Sequence, residues 1–219
     1  MNFNFIKNKQ GQGLLEMVVA IGVITTGLFG VWNLFISNYN GEQEAGARIL
    51  AVNLAREGIE VVKNIRDSNW LHIENNKICS YSGSIFDPCQ WDAGLVGDGS
   101  GIIENMFSQN VYINYDPNFL MDEASRLYVD PVSSFYSHDN AGQLTRYRRF
   151  IEIKNICCND LDADLECDDL SVDFDVRSVG SSCLSSQIKV GLDVASSVSW
   201  MIEGKTRDLT IKDRIFNWK

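Results

Sequence analysis

The sequence predicts an α+β fold, with a long N-terminal helix packed on an antiparallel β-sheet head. Three observations predict it. The run Leu14 to Ile36 is apolar and carries a single charge, Glu16. Apolar residues then recur at helical spacing as far as Ile65. Beyond Trp70 the period falls to two, in short runs separated by turn residues. The expected organisation is a leader over residues 1–11, a membrane helix over 12–40, its extracytoplasmic continuation over 41–69 and a β-rich head over 70–219.

At ~1.5 Å per residue the apolar run is long enough for the ~30 Å hydrocarbon core of a bilayer. Lys7 and Lys9 precede it, which places the N-terminus in the cytoplasm and the head outside. A cleaved secretory signal has a shorter apolar region followed directly by small residues. Here the nearest A-x-A, Ala45-Gly46-Ala47, lies well past the end of the run. Glu16 is costly in lipid and calls for a partner. Gly22, Thr26 and Gly30 recur every four residues, a small-residue stripe along which two membrane helices can pack closely.

In the outer half, Ala45, Ile49, Val52, Ala55, Ile59, Val62 and Ile65 step by three or four and form the expected core-facing stripe. Asp67-Ser68-Asn69 reads as the stop. In the head the clearest strand is Ile188 to Ile202. Ile188, Val190, Leu192, Val194, Val198, Trp200 and Ile202 share one parity, and Lys189, Asp193, Ser197 and Ser199 share the other. Glu203-Gly204-Lys205 turns the chain into a return strand through Leu209 and Ile211. Val111 to Tyr115, Tyr147 to Ile156 and Val172 to Val176 are further strands, and Tyr81 to Gly101 is a loop.

Six cysteines, Cys79, Cys89, Cys157, Cys158, Cys167 and Cys183, all follow the apolar run. None forms a C-x-x-C pair, so they point to disulfides in an oxidising compartment rather than to zinc. A bridge between Cys79 and Cys89 would pin the loop they bracket, while the four later cysteines leave three connectivities open. Among them lies an acidic run, in which Asp160, Asp162, Asp164 and Asp168 are candidate oxygen ligands for Ca²⁺. The EF-hand pattern itself fails, with Leu165 where glycine is needed. No other cofactor is expected.

A net charge of −10 argues against a protein that grips nucleic acid, with Arg146, Arg148 and Arg149 the one local basic cluster, expected on an exposed strand face. The sequence holds no G-x-S-x-G, H-E-x-x-H or P-loop pattern. The two histidines, His72 and His138, stand in polar, loop-like surroundings and are expected to be exposed. No enzyme is expected.

Lys9-Gln10-Gly11, then Gln12-Gly13-Leu14-Leu15-Glu16 and the uninterrupted apolar helix, resemble the type IV pilin and pseudopilin family. The likeness covers the leader and first helix. It implies cleavage by a prepilin peptidase between Gly11 and Gln12, N-methylation of Gln12, and a filament-assembly role for Glu16 beside the new N-terminus of a neighbouring subunit. It implies other pilin subunits and an inner-membrane assembly platform as partners. The location it implies is the bacterial inner membrane, single pass, and then a pilus or pseudopilus on the cell surface. Some pseudopilins hold calcium in the head. Gln12 stands where the family often has an aromatic residue or methionine, Gly13 where it has a hydroxyl residue, and no proline interrupts the helix; these departures lean toward a minor subunit. The competing expectation is a single-pass anchored surface domain that binds something and never polymerises.

Overall fold

The structure, a computed structural model, describes residues 10–81, 83–97, 100–104, 112–116, 123–159, 167, 174–202 and 204–217. The chain forms two compact units, Met1–Arg48 and Ile49–Lys219. Helix α1, Gln10–Glu74, contributes to both. In the first unit its side chains from Leu14 to Ile36 are open to the surroundings, the large apolar ones included.

The second unit is α+β. After α1 come β1 (Cys79–Tyr81), β2 (Ser84–Phe86), β3 (Ser100–Glu104), β4 (Tyr112–Asp116) and β5 (Arg126–Val129). Then follow β6 (Tyr136–Ser137), β7 (Gln143–Asn159), β8 (Asp175–Val176), β9 (Gln187–Ile202) and β10 (Lys205–Phe216). β1 and β2 make a small hairpin. The other eight form one antiparallel sheet whose main path is β10-β9-β7-β3-β4. β7 organises it. One of its edges pairs with β9 almost end to end, and the other is shared in turn by β5, β3 and β8.

The alternation in β9 places Leu192, Val194, Val198 and Trp200 inward. Tyr147, Ile151 and Ile153 of β7 do the same, and Ile215 comes from β10. Onto this face α1 lays Ile59, Val62 and Ile65, and Ile103, Ile113 and Leu95 complete the core. The approach is close because Gly58 faces the sheet: a Cβ there would lie 2.4 Å from Ser196 Oγ.

Several expectations need correcting. The seated stripe of α1 is Ala51, Leu54, Ala55, Gly58, Ile59, Val62, Ile65 and Asn69, while Ala45 and Ile49 are exposed. At 100° per residue, Ala45 and Ile49 lie about 80° and 120° around the helix from Ala55. Two steps of three, each turning the line back by about 60°, bring it from Ile49 to the core at Ala55. The helix also passes Asp67-Ser68-Asn69 and ends at Glu74. Asn69 does not compete for its own backbone, because its side chain is fully buried and donates to the carbonyls of Trp91 (3.1 Å) and Ala93 (2.9 Å) while accepting from Tyr81 Oη (2.6 Å). The real stop is Asn76, with φ +52°. Lys77 N donates to His72 O and Asn76 N to Ile73 O, a Schellman cap with asparagine in the left-handed position.

Tyr81 to Gly101 is not wholly loop, since it holds the end of β1, all of β2 and the start of β3. The strand expected over Val172 to Val176 is only two residues long among the described residues, and Phe174 lies outside it. It is a short edge piece that pairs only with Ile156 and Cys157. Val111 and Val172 lie outside the described residues. All six cysteines pair: Cys79 with Cys89, Cys157 with Cys183 and Cys158 with Cys167.

Candidate functional site

Among the described residues, α1 is the one helix long and apolar enough to cross a membrane. Its apolar segment is arranged for that role. From Glu16 to Ile36 is about 30 Å of helix, which matches the hydrocarbon thickness. At its far end Trp32, Phe35 and Tyr39 contact one another along one side, with ring centroids 6.3 and 6.5 Å apart. The amphipathic rings of Trp32 and Tyr39 at that level suit a lipid–water boundary. Thr25 and Thr26 cost little in lipid, because their hydroxyls donate back to the carbonyls of Ile21, Gly22 and Val23 at 2.9–3.0 Å.

Glu16 is exposed on this helix, four residues above the start of the expected mature chain. Gly11 and Gln12 lie within the helical span, and Lys7 and Lys9 lie outside the described residues. Gly22, Thr26 and Gly30 follow Glu16 on α1, and a Cβ on either glycine would meet nothing within 4 Å. The stripe therefore presents bare backbone to whatever lies beside it.

The head has its own buried polar chemistry. The expected basic cluster is not one patch. Arg149 is fully buried on the inner face of β7, where its Nη1 donates to Glu57 of α1 at 2.8 Å and to Leu54 O at 3.2 Å. Arg146 and Arg148 belong to the other parity. Burial lowers the guanidinium's pKa and Glu57 works against that fall. His138 is likewise not exposed as expected. Its Nδ1 lies 3.1 Å from both Ala124 O and Arg126 O. Desolvation, helped by the charge of Arg149, pushes its pKa down to about 3, so the ring is neutral in the folded head at ordinary pH. Both groups were hidden from sequence reasoning by the local polarity around them. The parity of Arg149 with Tyr147 and Ile151 is the signal that finds it.

At the other end of the head, Lys189 of β9 pairs with Asp92, and its ammonium stands 5.5 Å from the Trp91 ring centroid. Burial lowers the lysine's pKa and Asp92 opposes the shift. With Asn69 and the Cys79–Cys89 bridge, this pair fastens the segment after β2 to the core.

Asp160, Asp162, Asp164 and Asp168, the expected Ca²⁺ ligands, lie outside the described residues. Among the described residues no group of three or more histidine, cysteine or acidic side chains is placed to hold a metal ion. Comparison of the chain with family models, with curated proteins and with solved structures returns no match.

Proposed function

We propose that this chain is a minor pilin or pseudopilin subunit: inserted in the bacterial inner membrane, trimmed after Gly11, and drawn into a filament through its N-terminal helix. The observation that carries the reading is Glu16, a lone carboxylate in the otherwise apolar, exposed segment Leu14–Ile36 of the helix, five residues after Gly11. A carboxylate in that setting needs a cation. Cleavage supplies one, the α-amine of Gln12. Within one subunit the two groups are separated by about 6 Å along the axis. A neighbour displaced by that rise brings its amine level with Glu16, so the pair would set the register between subunits. The small stripe of Gly22, Thr26 and Gly30 supports close helix packing in the same filament. No chemistry is required of the head, whose part would be priming, capping or surface contact.

The test is intact-mass spectrometry of the chain co-expressed with a prepilin peptidase, beside Gly11→Ala. Loss of residues 1–11, blocked by the substitution, is the expected result, with methylated Gln12 at the new terminus. A chain left uncut would refute the reading and leave a single-pass anchored surface domain.

A further inference from the structure

We propose that the outer face of the head sheet carries a binding trough for an uncharged carbohydrate chain, floored by β9 and walled by β7 and β10. The proposal goes beyond the filament reading and needs neither cleavage nor polymerisation.

The strand register builds the trough. β9 runs between β7 and β10. Its side chains on the face away from the core are Asp193, Ala195, Ser197 and Ser199, all short. Their partners across the ladders are longer. On the β7 side Phe150, Glu152 and Lys154 stand opposite Ser197, Ala195 and Asp193. On the β10 side Thr210, Lys212 and Arg214 stand opposite the same three residues. Two strand spacings set the walls about 9.5 Å apart at the backbone, and the floor from Asp193 to Ser197 is about 13 Å long. Ala195 shows how far the walls rise: it lies on the outer face and is only 7% exposed. The space between them is about 260 Å³. That is an elongated site with room for a short run of sugar rings laid along the strand.

The lining selects the ligand. Glu152 and Asp193 offset Lys154 and Lys212, so the lining carries no net charge. Widening the count to the flanking rows adds Arg148, Asp208 and Arg214, one cation in excess, and Arg214 is already held by Asp193 at 3.4 Å. A polyanion would meet carboxylates here as often as cations. An apolar peptide or acyl chain would find only Phe150 and Ala195. What the trough offers is donors and acceptors side by side. Among the described residues the side chains of Glu152, Lys154 and Lys212 enter no hydrogen bond or ion pair. The hydroxyls of Ser197 and Thr210 meet at 2.8 Å and keep acceptor capacity to spare. Sugar hydroxyls donate and accept at once, so neighbouring hydroxyls on one ring can engage a carboxylate and an ammonium together. Half-buried Phe150 supplies an apolar ring for the C–H side of a pyranose. A site of mostly polar groups with one aromatic among them suits a hydroxyl-rich ligand that bears no charge.

The test uses the full chain, solubilised in a detergent without sugar headgroups. The uncharged probes are cellohexaose, chitohexaose, maltohexaose and isomaltohexaose, and the charged probe is oligogalacturonate. Binding is read by saturation-transfer NMR and calorimetric titration, and a thermal melt checks that each variant is folded. The expected result is that an uncharged hexasaccharide binds. Binding is lost in Ala195→Trp, which fills the trough, and weakens about tenfold or more in Glu152→Ala/Lys212→Ala, which removes two hydrogen-bonding groups. Ile85→Trp, in the β1–β2 hairpin, leaves it unchanged. The double variant changes only surface side chains, so it decides the matter if Ala195→Trp does not fold. Absence of binding by every uncharged probe, a preference for oligogalacturonate, or binding that survives a folded variant of either kind overturns the proposal. Cleavage by the peptidase is read separately, so failure here leaves the filament reading standing.

Discussion

Glu57→Ala tests how the helix is held on the sheet. The substitution removes the carboxylate 2.8 Å from a guanidinium with no solvent exposure. Breaking a buried pair by removing one partner costs about 3–5 kcal/mol, because the remaining charge stays desolvated. Glu57 itself is 35% exposed, so water already screens part of the attraction. The expected loss is therefore about 2 kcal/mol, below the fully buried range. For a unit of this size that lowers Tm by about 4–8 °C. The assay is a thermal melt of the detergent-solubilised full chain, followed by tryptophan fluorescence. The companion variant Glu57→Ala/Arg149→Met removes both charges and fills the site with an apolar side chain of similar length. It is expected to melt within about 3 °C of the parent chain, since the desolvated cation is gone. An unchanged melt for Glu57→Ala, or a double variant less stable than the single one, would refute the view that a buried charge is compensated here.

Three further outcomes are expected. The His138 ring is neutral in the folded head and titrates near its ordinary value of 6.5 when unfolded. Between those limits the unfolded chain binds the extra proton. Stability is therefore retained above about pH 6.5 and falls as pH drops, by at most about 1.4 kcal/mol per unit from this group; melts from pH 7 to 5.5 should flatten in His138→Gln. Gly58→Ala places a methyl against Ser196 and should cost about 1–3 kcal/mol, most of it recovered in Gly58→Ala/Ser196→Ala, measured by the same melt. Cys79→Ser/Cys89→Ser opens a short loop and should cost about 2–3 kcal/mol, with limited proteolysis moving to residues 82–97 while the β7–β9 pairing persists.

The parts that were legible in the sequence are those where one periodicity runs uninterrupted. Val190 to Trp200 alternates, Ser196 apart, because a single buried face selects apolar residues at the other inward positions, and the return through Gly204 follows from its left-handed backbone. The helix was legible as a helix, and from Ala55 through Ile59, Val62 and Ile65 so was its seated face. The expected stripe began on the wrong side, at Ala45 and Ile49, and so passed over Ala51, Leu54 and Gly58, which face the sheet. Asn69 and Asn76 look alike in sequence. One is a buried tie to Trp91 and Ala93, and the other is a cap, and only tertiary partners separate the roles. Arg149 misled because charge outweighs parity in a linear scan. At the candidate site the opposite holds: the spacing of Gly11, Glu16 and the small residues is wholly local, so it is visible without any fold.

The place of β7 in the sheet bears on how the head matures. Its full-length partner, β9, ends at Ile202, and Ile215 of β10 belongs to the central cluster. A chain that emerges N-terminus first therefore presents α1 and β7 long before the hairpin that covers them. Cys79 and Cys89 can join early, being ten residues apart, whereas the inner face of the sheet stays open until almost the last segment has emerged. Contacts of such long sequence separation are slow to close. The emerging chain thus passes through an interval with an apolar face uncovered.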